Sequence, residues 1–475
     1  MKKKILILIS VLFSFFAFAE ETPVKGLFQN ELKNGLQVFV AENHTVPLVY
    51  IEIAVKCGAF TQEKSTSGLF HLYEHMMFKG NKKFKNAQEV NKAFKDLGTT
   101  SWNGTTNIEC VNYFFTIPKE QLKEGLEFWS EAIRNPLLDK KELENEKKVV
   151  LSEIQSDSVE SGRLFFKDLC KTLFPGYDYK FSSAGDPDVV RNATVDQLKK
   201  IQKKFYIPNN SAVFVGGDVN PDEVFALVKE VFGDWKKAPS PFKKNLMQYE
   251  KNPLENPVYK VMPFEKIAKD QYEVSVDFRG ADAFYEPDDV FSLDMIFQCV
   301  SNPNGHFKKF FVDENKIGIP DVDSVYGYYS TRRFSGQIEF GANFTSQNEN
   351  MIENAKFFAE NIYDSVKTMI LEQDEKSISV IKQRLKDNFI YATETPQKLL
   401  SNLRFYWISS SVQDFYYYNE NMAEVTKEEM LSCAEFYLGS LNPVVTILLN
   451  PEDFKEKKSE FLENGFSIIE NSYTK

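Results

Sequence analysis

The segment His71-Leu72-Tyr73-Glu74-His75 holds two of the four histidines in this 475-residue chain. On an α-helix, residues i and i+4 lie about 40° apart and one turn up, so both imidazoles can reach a single ion. Glu74 projects on the same side as His75, where it can act on a water at that ion without being a ligand. The spacing therefore predicts a metal site with a general base beside it. The alternative is two solvated histidines on an amphipathic helix.

A catalytic zinc takes three protein ligands and keeps one position open, so a third ligand must come from elsewhere in the chain. His44 and His306 stand in unrelated contexts. The helical pattern over residues 140–156 supplies four acidic candidates, which are Glu142, Glu144, Glu146 and Glu153. Glu146 and Glu153 are seven residues apart and share a helix face to within about 20°. Spacing alone does not choose among the four, and a charged surface helix is the other interpretation.

A wider segment carries a family resemblance. The run from Gly68 to Gly80, which reads GLFHLYEHMMFKG, resembles the signature of pitrilysin, insulin-degrading enzyme and the mitochondrial processing peptidases. These are the inverzincins, zinc metallopeptidases in which H-x-x-E-H replaces H-E-x-x-H. Three further segments resemble the family: Asn34-Gly35-Leu36, Asn103-Gly104-Thr105-Thr106 and Tyr206-Ile207-Pro208-Asn209-Asn210. The resemblance is close over most of residues 27–240 and loose beyond them.

The resemblance implies a role for each site residue. His71, His75 and Glu153 would bind one Zn²⁺ per chain, because the family's third ligand is a Glu some 75 residues past the motif. Glu146 would be the acid seven residues earlier that orients the site. Glu74 would be the general base for peptide-bond hydrolysis. Asn103, Gly104 and Thr105 would form the substrate-binding edge, with Gly104 in place of the family's usual Ala.

One departure from the family concerns the second half of the chain. The family places an Arg and a Tyr there, seven residues apart in a segment like R-E-x-x-G-x-x-Y, where they reach the substrate. Glu314 and Asp321 stand at the corresponding positions. The resemblance then implies a heterodimer, in which a homologous subunit supplies the Arg-Tyr pair and two chains enclose a chamber for peptide substrates. The rival functions are a non-catalytic chamber subunit and a peptide-binding protein that keeps zinc for structure.

Periodicity indicates an α+β chain. Strands are predicted over residues 36–40, 48–55, 111–117 and 212–216, and helices over 121–133, 140–156, 194–205 and 221–232. The helix that carries the histidine motif is predicted to begin at Ser67 as its N-cap. Leu36 to Val40 and Leu48 to Val55 are rich in β-branched residues, which is typical of strands.

The second half repeats the plan of the first. Residues 51–55 are echoed by 272–276, and the helix over 194–206 is echoed by 426–437, an offset of about 220 to 230 residues. This offset is too long for a solenoid. We predict two homologous domains, each a mostly antiparallel sheet packed against helices on one face. The predicted boundaries are residues 20–245 for the catalytic domain, 246–257 for a linker and 258–475 for a non-catalytic domain.

The N-terminus predicts export. Three lysines (Lys2 to Lys4) precede an apolar run from Ile5 to Phe16 and an Ala17-Phe18-Ala19 cleavage signal. This pattern is typical of a signal peptide over residues 1–19, with an uncleaved anchor as the alternative. We expect a secreted protein, in the periplasm of a Gram-negative-type bacterium, with no membrane span after cleavage.

Composition limits the remaining partners. The formal net charge of −11 argues against nucleic acid, because phosphate binding needs a basic surface. The five cysteines are scattered and lack the spacing of a metal site, so most of them are expected to be small buried apolar residues, and the sequence does not indicate any disulfide pairing.

Overall fold

The computed structural model describes residues 20–157, 159–242, 249–345 and 350–474. The leader expected at residues 1–19 lies outside the described residues, and so does the beginning of the expected linker. The helices and strands of the described residues form two units that follow each other along the chain, each with its own sheet and helices.

The first unit contains strands β1 to β7 and helices α1 to α8. The strands are β1 Glu20–Glu21, β2 Leu27–Glu31, β3 Gln37–Glu42, β4 Leu48–Val55, β5 Ser101–Thr106, β6 Val111–Pro118 and β7 Ser211–Gly217. The helices are α1 Leu69–Met77, α2 Ala87–Asp96, α3 Leu122–Arg134, α4 Lys140–Asp157, α5 Ser161–Leu173, α6 Pro187–Arg191, α7 Val195–Phe205 and α8 Pro221–Phe232. The predicted strands and helices of this half are confirmed to within one or two residues.

The second unit contains strands β8 to β13 and helices α9 to α17. The strands are β8 Val258–Pro263, β9 Gln271–Arg279, β10 Val325–Ser330, β11 Gln337–Thr345, β12 Val444–Leu449 and β13 Ser467–Ile468. The helices are α9 Pro287–Val300, α10 His306–Lys309, α11 Met351–Leu371, α12 Glu375–Ala392, α13 Pro396–Ser409, α14 Val412–Tyr416, α15 Tyr418–Glu424, α16 Lys427–Ala434 and α17 Pro451–Glu463.

The two sheets have the same plan. Among the described strands, the first sheet runs β1-β2-β3-β7-β4-β6-β5 and the second runs β10-β11-β9-β12-β8-β13. Reading the second sheet backwards from β8 gives the order of the first from β3, strand for strand. The pairs β3–β7 and β8–β12 are both parallel, and the next three pairs in each sheet are antiparallel. The prediction of two homologous, mostly antiparallel α+β domains is confirmed.

The repeated helices begin with the same device. Thr194 and Thr426 each cap a helix by accepting a hydrogen bond from the backbone three residues on, and Gln197 and Glu429 return the bond. This reciprocal pair satisfies two of the backbone donors that a helix start leaves free. The echo seen in the sequence therefore corresponds to equivalent helices, α7 and α16.

Each sheet is covered on both faces. In β4 the residues Ile51 and Ile53 face the domain's own helices, whereas Tyr50 and Ala54 face the other way. That second face packs against Leu400, Leu403 and Trp407 of α13, a helix of the second domain. Each domain's own helices cover one face of its sheet, as expected. The other face is covered by a helix that belongs to the other domain of the chain.

The second sheet is covered in the reciprocal way. Leu169 and Leu173 of α5, in the first domain, pack in one cluster with Val444 of β12. Lys260 of β8 donates from Nζ to Thr172 of α5 at 2.6 Å and pairs with Asp168. The two domains therefore exchange one helix each. All five cysteines are buried, as expected for most of them, and none is in a disulfide.

Candidate active site and metal centre

Helix α1 positions the two histidines of the motif. Its apolar residues Leu69, Leu72 and Met76 are buried in the core of the first domain. His71 and His75 leave the helix on another face, with about a fifth of each side chain exposed (20% and 17%). The amphipathic pattern thus anchors the helix and presents both imidazoles at its surface.

The start of α1 differs from the prediction. The N-cap is Gly68, with φ of 87°, and Ser67 is not the cap. A Cβ on Gly68 would lie 2.6 Å from the carbonyl oxygen of Ala184, so the left-handed backbone and the close neighbour both require glycine. The Gly68 N–H donates to Oε1 of Gln62 at 2.6 Å. Gly68 has no side chain for capping, and its backbone N–H is satisfied by the buried side chain of Gln62.

The structure brings His71, His75 and Glu153 together. Nε2 of His71 lies 3.3 Å from Nε2 of His75. Oε2 of Glu153, on α4, lies 3.8 Å from the first nitrogen and 3.7 Å from the second. Of the described His, Cys, Asp and Glu side chains, these three form the group whose donor atoms could hold a metal ion.

The spacing of these donors fits zinc. Bonds of about 2.0–2.1 Å in a tetrahedral site place the ligand atoms about 3.3–3.4 Å apart. The three separations are at or slightly above that value, and two imidazoles with one carboxylate are ordinary zinc ligands. Three protein ligands also leave a coordination position open.

Glu146 orients His75. Its Oε2 lies 3.1 Å from Nδ1 of His75, and its Oε1 lies 2.7 Å from Nζ of Lys79. Burial acts to raise the pKa of Glu146, but the bonds to His75 and Lys79 outweigh it, so the pKa lies below its ordinary value. The ionised carboxylate therefore fixes the ring so that Nε2 faces Glu153 and His71.

His71 is held in its neutral form. Burial and the neighbouring His75 lower the pKa of His71 to about 4. A neutral imidazole has a free lone pair, which is the form that binds a metal ion. At neutral pH, His71 is therefore ready to act as a ligand.

Glu74 lies beside this group and against strand β5. It is 8% exposed, and its Oε2 accepts a hydrogen bond from Oγ1 of Thr106 at 3.0 Å. Burial raises the pKa of Glu74, although His75 and the Thr106 hydroxyl oppose the shift. A raised pKa moves a carboxylate toward the range in which it accepts protons efficiently at neutral pH.

The predicted substrate residues lie on β5, the last strand of the first sheet. Asn103 is exposed, whereas Gly104 is buried with its Cα facing Phe78 and Glu74. The Thr105 hydroxyl donates to Oδ1 of Asn112 on β6. Among the described strands β5 pairs only with β6, so its outer edge offers backbone groups to which an extended peptide can add.

Sequence reasoning missed three residues around the site. Thr106, Lys79 and Gln62 each bond directly to a predicted site residue or to the cap of α1. Thr106 and Lys79 lie inside the two segments that carry the family resemblance, which is a signal that could have found them. Gln62 has no such signal, because its contact depends on how the loop before α1 folds back.

Glu314 and Asp321, the two departures from the family, lie outside regular strands and α-helices. Glu314 ends a π-helical turn over Phe310–Glu314. Asp321 caps the short turn before β10 by accepting from the backbone N–H groups of Asp323 and Ser324. Asp321 therefore has a local structural role that a tyrosine could not fill.

Comparison with known families identifies the class. The model described as Insulinase (Peptidase family M16) matches residues 37–185, and the model described as Peptidase M16 inactive domain matches residues 192–385. The chain belongs to the M16 peptidase family, whose zinc proteases include pitrilysin and the insulinases.

Particular relatives share parts of the chain. It is 32% identical over 226 residues to the zinc protease PqqE of Helicobacter pylori, covering 46% of this chain and 50% of that protein. The chain spans half or less of the length of the first curated relatives it matches.

Solved structures share the fold. A protease from Helicobacter pylori superposes with a TM-score of 0.72 at 21% identity, covering 89% of this chain and 99% of that one. The periplasmic protease PqqL from Escherichia coli gives a TM-score of 0.73 at 16% identity, covering 94% of this chain and 50% of that one. In the part of the chain described here, no helix combines the length and the apolar character needed to cross a membrane.

Proposed function

We propose that this chain is a zinc metalloendopeptidase that hydrolyses peptide bonds of peptides or unfolded segments. The observation that carries the proposal is the convergence of His71, His75 and Glu153, with Glu74 beside them and the free edge of β5 adjacent. A metal triad, a buried carboxylate and an open strand edge are the parts that peptide hydrolysis needs.

His71, His75 and Glu153 would hold the metal, and Glu146 would keep His75 in the binding orientation. A zinc ion supplies Lewis-acid chemistry, which acidifies water and polarises a peptide carbonyl. An extended substrate would pair its backbone with the outer edge of β5, near Asn103, Gly104 and Thr105. The strand thereby places the scissile bond next to Glu74.

Glu74 would move the proton. With Oε2 held by Thr106, the carboxylate accepts a proton from the attacking water and returns it to the leaving amine. The hydroxyl forms the new C–O bond, the C–N bond breaks, and the proton on Glu74 completes the amine. Removing the carboxylate stops both transfers while leaving the metal ligands in place.

The first experiment measures zinc content and peptide cleavage together. We expect about one zinc per chain, lost in His71→Ala and His75→Ala and weakened in Glu153→Gln. Glu74→Gln should keep its zinc and lose roughly 10²- to 10⁴-fold in turnover. Full cleavage by Glu74→Gln would rule out Glu74 as the base, and zinc binding by the two alanine variants would rule out the metal site.

The active form is proposed to be a heterodimer. Peptide hydrolysis needs donors that stabilise negative charge on the carbonyl oxygen, and the carboxylates of Glu314 and Asp321 would repel that charge. The match covers 50% of the solved PqqL chain, so the other half of PqqL lies outside the part that resembles this chain. A homologous subunit that carries the Arg-Tyr pair would complete the site.

The test for the partner is cleavage by the pure chain, then with a homologous chain that lacks H-x-x-E-H but holds the Arg and Tyr. We expect turnover to rise roughly 100- to 1,000-fold, the usual contribution of one oxyanion donor. High turnover by the pure chain, unchanged by any homologue, would contradict the heterodimer.

We further propose that the protein works in the periplasm after removal of residues 1–19. The leader pattern motivates this, and PqqL of Escherichia coli is described as periplasmic. N-terminal sequencing of the purified protein should find Glu20 first. An intact Met1 on a cytosolic protein would contradict export.

A further inference from the structure

One arginine of the second domain reaches the interior of the first. Arg404 lies on α13, the helix that covers the outer face of the first sheet, and its side chain is 20% exposed. Its Nε lies 2.7 Å from Oε1 of Glu52, which is fully buried on β4 near the centre of the sheet. The ion pair therefore joins the two domains in a place from which water is excluded.

The Glu52 carboxylate is surrounded by directed contacts. The Tyr50 hydroxyl donates to its Oε2 at 2.7 Å, and Nδ2 of Asn112 donates to its Oε1 at 2.7 Å. Among the described residues, Arg404 is the cation that pairs with it. Removing one partner from a buried pair leaves an uncompensated charge, so the conformation around Glu52 depends on α13 being docked.

The contacts continue to the substrate strand. Asn112 lies opposite Thr105 in the β5–β6 pair, and the Thr105 hydroxyl donates to the Asn112 amide oxygen. The next residue, Thr106, donates to Glu74. A chain of side-chain contacts therefore runs from Arg404 through Glu52 and Asn112 to β5.

A second contact holds the same hairpin. Between β5 and β6, Glu109 accepts a hydrogen bond from the backbone N–H of Arg333, in the second domain, at 2.6 Å. The second domain thus contacts the turn of the β5–β6 hairpin directly, at Glu109. It also reaches Asn112 on β6 indirectly, because Arg404 pairs with Glu52 and Glu52 bonds to Asn112. Among the described strands β5 pairs only with β6, so these contacts add to β6, to the bond between Thr106 and Glu74 and to the stacking of Trp102 on Phe94 in holding its position.

We propose that Arg404 is a positioning residue for the substrate strand, acting through Glu52 and Asn112 on Thr105. Docking of α13 then sets where β5 presents its edge to a peptide and where Thr106 holds Glu74. The proposal rests on the proposed peptidase function for the role of β5. The coupling of Arg404 to β5 is a property of the fold and can be measured without any cleavage.

The test compares full-length Arg404→Met with wild type in peptide cleavage and in amide hydrogen exchange. We expect KM to rise roughly 3- to 30-fold, which lies within the range that coupling between contacting residues produces, with a smaller change in kcat and unchanged zinc content. Exchange at residues 101–106 should accelerate. The exchange result is independent of activity, so it separates failure of this proposal from failure of the peptidase assignment.

The matched control is Lys398→Met, which removes an exposed positive charge from the same helix. It should leave KM and β5 exchange unchanged. The double variant Glu52→Gln/Arg404→Met removes both buried charges, while the amide oxygen can accept from Asn112 and the amide NH2 group can donate to the Tyr50 hydroxyl. It should return KM to within about twofold of wild type, a rescue that a general loss of stability would not give.

Two milder variants keep the test decisive if Arg404→Met does not fold. Arg404→Lys keeps the charge but loses the guanidinium contact. Thr105→Val removes the hydroxyl that donates to Asn112 and accepts from Asn107. Both should raise KM and accelerate exchange in β5. Wild-type KM and wild-type exchange in these variants would overturn the proposal.

Discussion

Gly104 has little free space around its Cα. A methyl group there would lie 2.9 Å from Cε2 of Phe78 and 3.0 Å from Oε1 of Glu74. Both contacts are too short, so either the ring or the carboxylate must move by a few tenths of an ångström. The resemblance to the M16 family places Ala at this position, so the packing of Phe78 in this chain is adapted to the smaller residue.

We therefore expect Gly104→Ala to lower kcat/KM about 10-fold, because small displacements of a catalytic group are costly. Zinc content should be unchanged, since the methyl group meets none of the three proposed ligands. Gly162→Ala, whose methyl group would meet mainly the exposed carboxylate of Glu160, is the control. Wild-type kinetics in Gly104→Ala would mean that Phe78 and Glu74 adapt freely.

The residues of the site differed in how far the sequence could predict them. His71, Glu74 and His75 follow from helical spacing within five residues. Glu153 needed the family resemblance, because three other glutamates on the same helix satisfied the spacing argument as well. Thr106 lies in a segment that carries the family resemblance, but its bond to Glu74 could not be derived, since that bond depends on how β5 packs against α1.

At the level of elements, α1 depends on the loop before it. Gln62 is fully buried, accepts from the Gly68 N–H, and donates from Nε2 to the carbonyls of Tyr179 and Ser182. One side chain therefore fixes the start of α1 against a second loop. The motif of α1 predicted a helix, but only the fold shows what holds its first turn.

Gln62→Leu leaves a buried N–H and two carbonyl groups without their partner. Each such group costs about 1–3 kcal/mol, so we expect a clear drop in melting temperature together with weaker zinc binding. Calorimetry and a competitive zinc titration measure the two effects. Gln383→Leu, at an exposed position on α12, should change neither, and equal effects of both variants would contradict a specific role for Gln62.

At the level of the whole molecule, the burial of Glu109 at the contact with Arg333 makes the stability of the folded protein depend on pH. Burial raises the pKa of Glu109 to about 7, although the Arg333 N–H and the charges of Arg332 and Arg333 oppose the shift. In the unfolded chain the carboxyl ionises near its ordinary value of about 4.5. Between about pH 4.5 and pH 7, Glu109 is protonated in the folded protein but ionised in the unfolded chain. The contribution of Glu109 to the free energy of unfolding is therefore present below about pH 4.5 and is lost as pH rises to about 7.

Glu109→Gln removes this dependence and keeps an oxygen that can accept from Arg333. We expect the variant to be more stable than wild type at pH 8 and the difference to shrink as pH falls toward 5. Thermal unfolding at several pH values measures it, with Glu120→Gln at an exposed position as the control. A stability difference that does not vary with pH would contradict the assignment.

Sequence repeats predicted two α+β domains, but not how they are joined. Each sheet carries its own helices on one face, as expected, and α13 and α5 also cover the opposite faces across the domain boundary. No local pattern encodes this, because an apolar sheet face does not specify which helix will cover it. Trp407 on Phe214, with ring centroids 5.9 Å apart, joins residues far apart in the chain.

Because each half covers one face of the other half's sheet with a helix, we expect that neither half folds stably alone. A fragment of residues 20–245 lacks α13 and would expose Phe39 and Phe214, while a fragment of residues 258–475 lacks α5 and would expose Met262 and Leu448. We expect each fragment to aggregate when expressed separately, and the two to copurify as a soluble complex when expressed together. A monomeric, cooperatively unfolding fragment would contradict this. If the halves do complement each other, a single cut between them would leave a working molecule held together by packing alone.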